Sequence, residues 1–372
     1  MIHNIAKSGK DNILKKIVEK VIQNIPITNA DCLYLYEKAE TGDLAVIADF
    51  IRKSYNNFDV YYNRNIHIEP TNICIYKCKF CSYSRKKGES GSWEFTIEQM
   101  VDKVKNESKK GITEVHIVGG VHPDKALYYY VELIEEIRKV VPKIHIKAFS
   151  AVEIDYMITK SNIDLVEGLK LLKNAGLDSI PGGGAEIFNS EIRTKICPEK
   201  TNSERWLEIH KQAHLVGIKS NATMLYGHIE SYVHRVEHMS LLRDLQSQTG
   251  GFMAFIPLKF KMLNNTLSNI GEITLLEDLR NYAICRIYMS NFKHIKAYWP
   301  MLGKEYAQLA LSFGADDFDG TIEDSTKIYS MAGAKDQKPN LSITELKKIV
   351  SSAGFIPVER TSTYDTLEKL GK

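Results

Sequence analysis

The stretch "NIHIEPTNICIYKCKFCSYSR" (residues 65–85) decides the fold. Its apolar beginning, residues 65–73, predicts a buried strand. The residues that follow contain Cys74, Cys78 and Cys81, which are three of the six cysteines of the chain and have the spacing C-x3-C-x2-C. Structural zinc sites use four ligands, and this group supplies three. The stretch therefore predicts a strand that leads directly into a metal-binding loop with one coordination position left open.

The rest of the chain alternates between strand and helix patterns. The segment 96–111 is typical of the helices, because it opens with the capping box Thr96-x-x-Gln99 and ends at Gly111. Short apolar strands that alternate with amphipathic helices indicate a parallel sheet, and eight such units favour a TIM-type (β/α)8 barrel with its active site at the carboxyl ends of the strands. The eight predicted strands are 65–73, 114–120, 144–149, 177–180, 218–224, 252–257, 293–298 and 316–319.

The pattern also suggests three parts of the chain. We expect an N-terminal helical extension (1–64), the barrel (65–325) and a C-terminal segment that packs on the barrel (326–372). The net charge of +3, from 49 basic and 46 acidic residues, argues against nucleic-acid binding by bulk charge. The N-terminus lacks the apolar core of a signal peptide, and no run approaches the ~18 apolar residues of a membrane helix. We therefore expect a cytoplasmic protein without a membrane partner.

Cysteines clustered in a cytoplasmic protein bind metal or act in catalysis more often than they form disulfides. The scattered residues Cys32, Cys197 and Cys285 are expected to be thiols without chemistry. An alternative for the clustered cysteines is a structural zinc site, completed by a distant ligand such as Cys197 or a histidine.

A C-x3-C-x2-C loop after the first strand of a barrel resembles the radical S-adenosylmethionine (radical SAM) superfamily. The resemblance implies that Cys74, Cys78 and Cys81 bind three irons of a 4Fe-4S cluster. The fourth iron then binds the amino and carboxylate groups of S-adenosylmethionine. It also implies that Phe80 packs beside the adenine. One electron, from an external reductant of the flavodoxin or ferredoxin type, would release a 5′-deoxyadenosyl radical.

Further cofactor contacts are expected where the next strands end. In the superfamily, a Gly-Gly-Glu type motif after the second strand contacts the methionine amino group. This chain has Gly119 and Gly120 there, but Val121 in place of the acid. A ribose diol needs acceptors and a methionine carboxylate needs a cation. The remaining candidates are Ser150, Glu153, Glu186, Arg193, Gly227 and Glu230, and any of the charged ones could instead be a solvated surface group.

Several longer segments resemble the aminofutalosine synthase family, among them "HIVGGVHPD", "DSIPGGGAEIF", "KSNATMLYGHIE" and "FIPLKF". The resemblance implies addition of the adenosyl radical to 3-[(1-carboxyvinyl)oxy]benzoate, giving 6-amino-6-deoxyfutalosine in menaquinone biosynthesis. Two related activities that use hydrogen abstraction remain open, the dehypoxanthine futalosine cyclase and one half of the deazaflavin synthase. A binding module without catalysis is the alternative from another class.

The substrate of that reaction has two carboxylates and an aryl ring, so its site needs cations, hydroxyls and an apolar wall. The predicted catalytic residues are His67, Arg85, Asn221 and His228, and Ser84, His122 and Tyr298 are further candidates. Asp316, Asp317 and Asp319 lie at the last predicted strand, and we expect a role in lining the rim rather than in binding a metal.

Overall fold

Strands and helices alternate over most of the chain. The computed structural model describes residues 2–7, 11–322, 327–334 and 339–369. The predicted boundary between residues 325 and 326 lies outside these ranges. The strands are β1 (Asp59–Asn63), β2 (Asn65–Ile68), β3 (Glu114–Ile117), β4 (His145–Ala148), β5 (Ser179–Ile180), β6 (Lys219–Tyr226), β7 (Phe252–Lys259), β8 (His294–Ile295), β9 (Asp317–Gly320), β10 (Ile356–Arg360) and β11 (Thr366–Lys369).

The helices begin at the capping residues that their sequences provide. At α5 the predicted capping box is present: the Thr96 hydroxyl accepts from the Gln99 amide and the Gln99 side chain accepts from the Thr96 amide. The helices are α1 (Ile2–Lys7), α2 (Asn12–Ile22), α3 (Asn29–Lys38), α4 (Thr41–Asn56), α5 (Ile97–Ser108), α6 (Leu127–Val140), α7 (Ala151–Ser161), α8 (Leu165–Ala175), α9 (Ser190–Ile196), α10 (Ser203–Leu215), α11 (Tyr232–Thr249), α12 (Leu275–Tyr288), α13 (Trp299–Leu302), α14 (Lys304–Leu311), α15 (Ile328–Met331) and α16 (Ile343–Ser352).

Strands β2 to β8 form one parallel sheet in chain order. Each coincides with a predicted strand, so the α/β fold class with a curled parallel sheet is confirmed. Side chains alternate across the sheet. Val115 and Ile117 on β3 are completely buried under the helices, whereas Glu114 and His116 point to the inside of the curl, where His116 lines a cavity.

The eighth predicted strand, β9, continues the curl but pairs mainly elsewhere. It contacts the end of β8 through a bridge between Lys296 and Asp317 and through the Ala297 amide, which donates to the Asp317 carbonyl at 2.8 Å. Its hydrogen-bonded neighbour on the other side is β1, in a second sheet of order β11-β10-β1-β9. The Thr321 hydroxyl bonds the backbone of Asn65 at the start of β2, so side-chain contacts close the gap between the eighth strand and the first.

Strand β1 is a difference from the sequence prediction, which gave residues 1–64 as mostly helical. The segment "DVYYN" places Val60 and Tyr62 in the core and pairs with β10 near the other end of the chain. A β-branched residue and two tyrosines suit a strand once a partner is present, and that partner is about 300 residues away in the sequence.

The N-terminal helices flank the curled sheet. Helix α4 packs on α12 and α3 packs on α11. The Arg280 guanidinium on α12 donates to the carbonyls of Leu35, Tyr36 and Ala39, which ties the end of α3 to the outer helical layer. Among the described residues, the helices are too short or too polar for any of them to cross a bilayer.

Candidate active site

A cavity of about 290 Å³ lies at the carboxyl ends of the strands of the curled sheet. The sequence predicted an active site at the carboxyl ends of the strands, which includes the segments after the first four strands. Residues from all four of those segments line the cavity, among them Cys74, Gly119, Ser150 and Gly183. The cavity therefore brings together parts of the chain that lie more than 100 residues apart.

The cysteine loop is held in place by its backbone. The Cys74 amide donates to the Arg85 carbonyl at 3.0 Å, and the Ile75 amide donates to the Val121 carbonyl at 3.0 Å. The Lys79 amide donates to the Ile196 carbonyl at 2.8 Å, which anchors the middle of the loop to the end of α9. Because the backbone makes these contacts, the cysteine side chains are not needed to hold the loop.

All three thiols of the loop are half-buried and line the cavity. Burial raises the pKa of Cys78 to about 12 and raises that of Cys74, although backbone hydrogen bonds from Val121 and Tyr76 to the Cys74 sulfur lower it. A thiol in such surroundings becomes a thiolate when a cation binds it. Among the described residues, no group of three or more His, Cys, Asp or Glu side chains is arranged around a point for a single ion. Three separate thiols on one cavity wall suit a larger polynuclear group, with one iron per thiolate.

Gly119 and Gly120 are packed against the cysteine loop. A Cβ on Gly120 would lie 2.3 Å from the Ile73 carbonyl oxygen, and one on Gly119 would lie 2.8 Å from that of Thr71. Both glycines line the cavity, as expected for cofactor contacts. The close approach of two backbone segments already requires glycine at both positions.

Glu153 lies on the cavity wall, in the first turn of α7 after the third strand of the curled sheet. Its carboxylate accepts from the Ser150 amide and hydroxyl, both at 2.7 Å, and from the Gly119 amide at 3.2 Å. Burial raises the pKa of Glu153 to about 7, although these hydrogen bonds lower it. Ser150 is also the N-cap of α7, so the predicted pair is fixed by a capping box.

Phe80 and Glu186 meet at Lys200, a residue that the sequence analysis did not name. The Lys200 ammonium is 2.6 Å from a Glu186 carboxylate oxygen and 5.5 Å from the centre of the Phe80 ring. Burial lowers the pKa of Lys200, but the charges of Glu186 and Cys78 raise it by a larger amount. The pKa therefore lies above its usual value. All three side chains line the cavity. A fixed cation thus stands beside the cysteine loop.

Several predicted cofactor contacts lie outside the residues that line the cavity. The Arg193 guanidinium donates to backbone carbonyls of residues 184, 185, 187 and 201. Glu230 accepts from the amides of Gly227 and His228, at 2.6 and 2.8 Å, and pairs with Arg235 at 2.8 Å. Arg193 and Glu230 therefore stabilise the turns after β5 and β6. Their charged groups are already hydrogen-bonded within the protein.

Some of the predicted catalytic residues line the cavity and others do not. Asn221 lines the cavity from β6, and the further candidates Ser84 and Tyr298 do so too. His228 contacts Glu230 and the Leu225 carbonyl in the turn, and the Arg85 guanidinium donates to the carbonyls of Ser82 and Ser84. His67 is buried against His116 and is not among the residues that line the cavity. His122 does not line the cavity either, and its ring lies 3.5 Å from the Glu94 carboxylate.

The aspartates after α14 form ion pairs inside the protein. Asp316 pairs with Arg286 and with His294, and Asp317 pairs with Arg360. Asp319 pairs with Lys296 at 2.5 Å and lines the cavity.

Three charged or polar side chains at the bottom of the cavity were not named from the sequence: His116, Lys147 and Lys296. A signal for two of them was available, because "HIKA" occurs at 145–148 and again at 294–297. A lysine inside an otherwise apolar strand is rarely buried without a partner and a purpose.

Residues 68–242 match the model of the radical SAM superfamily, and residues 249–371 match that of the CofH/MqnC C-terminal region. The chain is 42% identical over 359 residues to aminodeoxyfutalosine synthase of Thermus thermophilus, covering 95% of this chain and 96% of that protein. It is 37% identical over 351 residues to 5-amino-6-(D-ribitylamino)uracil–L-tyrosine 4-hydroxyphenyl transferase 2 of Methanococcus maripaludis, covering 92% and 97%.

Solved structures agree on the fold. The FeFe-hydrogenase maturase HydG from Carboxydothermus hydrogenoformans superposes with a TM-score of 0.75 at 18% identity, over 98% of this chain and 83% of that one. Methylornithine synthase (PylB) superposes with a TM-score of 0.70 at 17% identity, over 91% and 96%. At these identities the likeness concerns architecture.

Proposed function

This chain belongs to the radical SAM superfamily, and we propose that it adds the 5′-deoxyadenosyl group of S-adenosylmethionine to 3-[(1-carboxyvinyl)oxy]benzoate. Methionine leaves, and a rearrangement with loss of one carboxylate as carbon dioxide gives 6-amino-6-deoxyfutalosine for menaquinone biosynthesis. The observation that carries the proposal is the 42% identity to an aminodeoxyfutalosine synthase over 95% of the chain. The cavity supports it, because it combines the three thiols with apolar walls and cations, which an aryl dicarboxylate needs.

The family uses a 4Fe-4S cluster together with S-adenosylmethionine. Cys74, Cys78 and Cys81 would hold the cluster, because all three thiols face the cavity from one anchored loop. When bound, the cluster supplies the electron that splits S-adenosylmethionine into methionine and a 5′-deoxyadenosyl radical. The chain itself has to position both substrates, and its apolar walls keep water away from the reaction.

The residues beside the cysteine loop suit the polar groups of S-adenosylmethionine. We assign the methionine carboxylate to Lys200, whose ammonium lies in the cavity next to Phe80, in place of Arg193, whose guanidinium is occupied by carbonyls. Glu153 and Glu186 offer carboxylate oxygens on the same wall, which suits the amino group and the ribose hydroxyls. Phe80 offers a ring face for the adenine.

A second candidate is the reaction of the hydroxyphenyl transferase relatives. The 37% identity to one of them over 92% of the chain favours it next. The two candidates differ in the fate of the adenosyl group. In the proposed reaction it is joined to the product, whereas hydrogen abstraction would release it as free 5′-deoxyadenosine.

Anaerobic reconstitution followed by mass spectrometry tests the proposal. The protein with iron, sulfide, dithionite, S-adenosylmethionine and the enolpyruvyl benzoate is expected to give a product that contains both the adenosine and the aryl group. A Cys78→Ala variant in the same mixture is the control. Free 5′-deoxyadenosine without the adenosylated aryl product would replace the proposal with its rival. Transfer of the hydroxyphenyl group of tyrosine to 5-amino-6-(D-ribitylamino)uracil would do the same.

The electron donor and the location belong to the same proposal. We propose a flavodoxin or ferredoxin type of reductant in the cytoplasm. Dithionite replaces this partner in the assay above, so the chemistry can be tested without it.

A further inference from the structure

We propose that His116 and Lys147, at the floor of the cavity, bind the carboxylate on the aryl ring of the substrate. The inference rests on the proposed function, from which it takes the substrate. It assigns a ligand group to two side chains that the proposed chemistry leaves without a role.

The two residues lie side by side and deep. His116 on β3 and Lys147 on β4 are paired in register. Each lies three residues before a position at the cavity rim, Gly119 on one strand and Ser150 on the other. His116 and Lys147 each precede the last residue of their strand, Ile117 or Ala148, so they lie inside the curl, below Gly119 and Ser150, which follow the strand ends.

That depth suits one end of the substrate and not the other. The vinyl carbon that receives the adenosyl group has to lie near the cysteine loop, and the enolpyruvyl carboxylate is bonded to the neighbouring carbon. The ring carboxylate is on the far side of the aryl ring, at the opposite end of the molecule. The apolar side chains of Leu225, Ile256 and Leu258 line the cavity and suit the ring between the two ends.

His116 offers a hydrogen bond that the protein does not use. Its Nε2 is buried and has no hydrogen-bond partner among the described residues, although the side chain lines the cavity. Burial, and after it the charge of Lys147, keeps the pKa of His116 well below its usual value, so the ring is neutral. A neutral imidazole can donate one hydrogen bond to a carboxylate oxygen.

Lys147 supplies the cation that binds the ring carboxylate. The lysine of the second "HIKA" segment, Lys296, is less suited to this role. The partner of Lys147 is Glu114, at 2.5 Å, which is 1% exposed and absent from the residues that line the cavity. The ammonium can therefore turn its remaining donors to a ligand.

Lys296 differs from Lys147 in this respect. Lys296 lies 2.5 Å from Asp319, which itself lines the cavity, and 3.8 Å from Asp317, so its charge is already shared by two carboxylates. The floor is therefore asymmetric, with a donor side at His116 and Lys147 and an acidic side at Asp319.

Isothermal titration calorimetry on the reconstituted protein tests the inference directly. The probes are 3-[(1-carboxyvinyl)oxy]benzoate and 2-phenoxyacrylate, which lacks the ring carboxylate. In the wild-type protein the benzoate is expected to bind at least about tenfold more tightly, the size of one charge-assisted hydrogen bond. His116→Phe, and separately the charge-neutral pair Lys147→Gln with Glu114→Gln, should reduce that ratio several-fold and leave the Kd of 2-phenoxyacrylate nearly unchanged.

The pair Lys296→Gln with Asp319→Asn is the matched control and should keep the ratio. Equal binding of the two probes by the wild-type protein, or a ratio that survives both floor variants, would overturn the inference. The proposed function is judged separately, by whether the wild-type protein forms the adenosylated product. Tight binding of the benzoate without that product would remove the function and keep the carboxylate site.

Discussion

The rim and the floor of the cavity are built in different ways. At the rim, the cysteine loop and the glycines after β3 are held by backbone hydrogen bonds and close backbone packing, so side chains such as Cys78 are free for a ligand. At the floor, charged side chains on the strands hold one another, as Lys147 holds Glu114. The difference indicates that rim substitutions should remove chemistry while the fold survives, whereas floor substitutions should lower stability.

The sharpest test at the rim is Cys78→Ala. Without its third thiolate the cluster is expected to be lost, and product formation should fall to background. The fold should survive, because the loop is anchored through the amides of Cys74, Ile75 and Lys79. Iron and sulfide content, product yield and the far-ultraviolet circular dichroism spectrum check the three statements. A variant that unfolds would show that the thiol, and not the backbone, holds the loop.

The matching test at the floor is Glu114→Gln. The change leaves the Lys147 ammonium buried without its carboxylate, which typically costs about 3–5 kcal/mol. Urea denaturation of the cluster-free protein measures the loss. Adding Lys147→Gln removes the unpaired charge and should recover most of it. If the double variant is as unstable as the single one, the packing of these side chains, and not the balance of their charges, stabilises the floor.

This contrast also explains what the sequence could predict. Burial in a parallel sheet favours short apolar runs, and the alternation with amphipathic helices placed the more polar strands, so the strands β2 to β9 were predicted from the sequence. The cysteine spacing was equally visible because Cys74, Cys78 and Cys81 come from one short loop. Strand β1 was missed because its partner β10 comes from the other end of the chain.

The floor was missed for a different reason. Both "HIKA" segments showed a lysine in a strand. The carboxylate that pairs with each lysine lies 33 residues away for Lys147 and 23 residues away for Lys296, and the curl of the sheet brings the two groups together. Distance along the chain also misleads at the rim. Arg193 lies near a predicted motif, yet its guanidinium binds backbone carbonyls, whereas Lys200, seven residues later, lines the cavity. A motif shows where a loop is, but only the fold determines which way each side chain points.

Glu153 contacts the rim residues Ser150 and Gly119 and makes the stability of the protein depend on pH. Its pKa rises from 4.5 to about 7, so between these values the folded protein holds a proton that the unfolded chain has released. Stability from this group therefore falls as the pH rises through that window, and a penalty of about 3 kcal/mol remains above it. Glu153→Gln should remove the penalty, less the contribution of the hydrogen bonds that it weakens.

Urea denaturation of the cluster-free parent and variant from pH 4 to 8 checks this expectation. The variant should gain stability over the parent as the pH rises and show little advantage at the acid end. Two curves that stay parallel across the range would mean that the hydrogen bonds from Ser150 and Gly119 keep the carboxylate ionised.

The smallest expected effect comes from Gly120→Ala, and it tests whether the rim depends on close backbone packing. A Cβ at this position would lie 2.3 Å from the Ile73 carbonyl oxygen and 2.8 Å from its carbon, so the cysteine loop has to shift. Forced overpacking of this kind costs about 1–3 kcal/mol. Gly42→Ala is the control, because a Cβ there meets nothing within 4 Å. Since Cys74 follows Ile73 directly, the shift should also reduce the iron content of the reconstituted variant. Full iron content in a destabilised variant would show that the loop adjusts as a unit and that the cysteines keep their arrangement without the glycine.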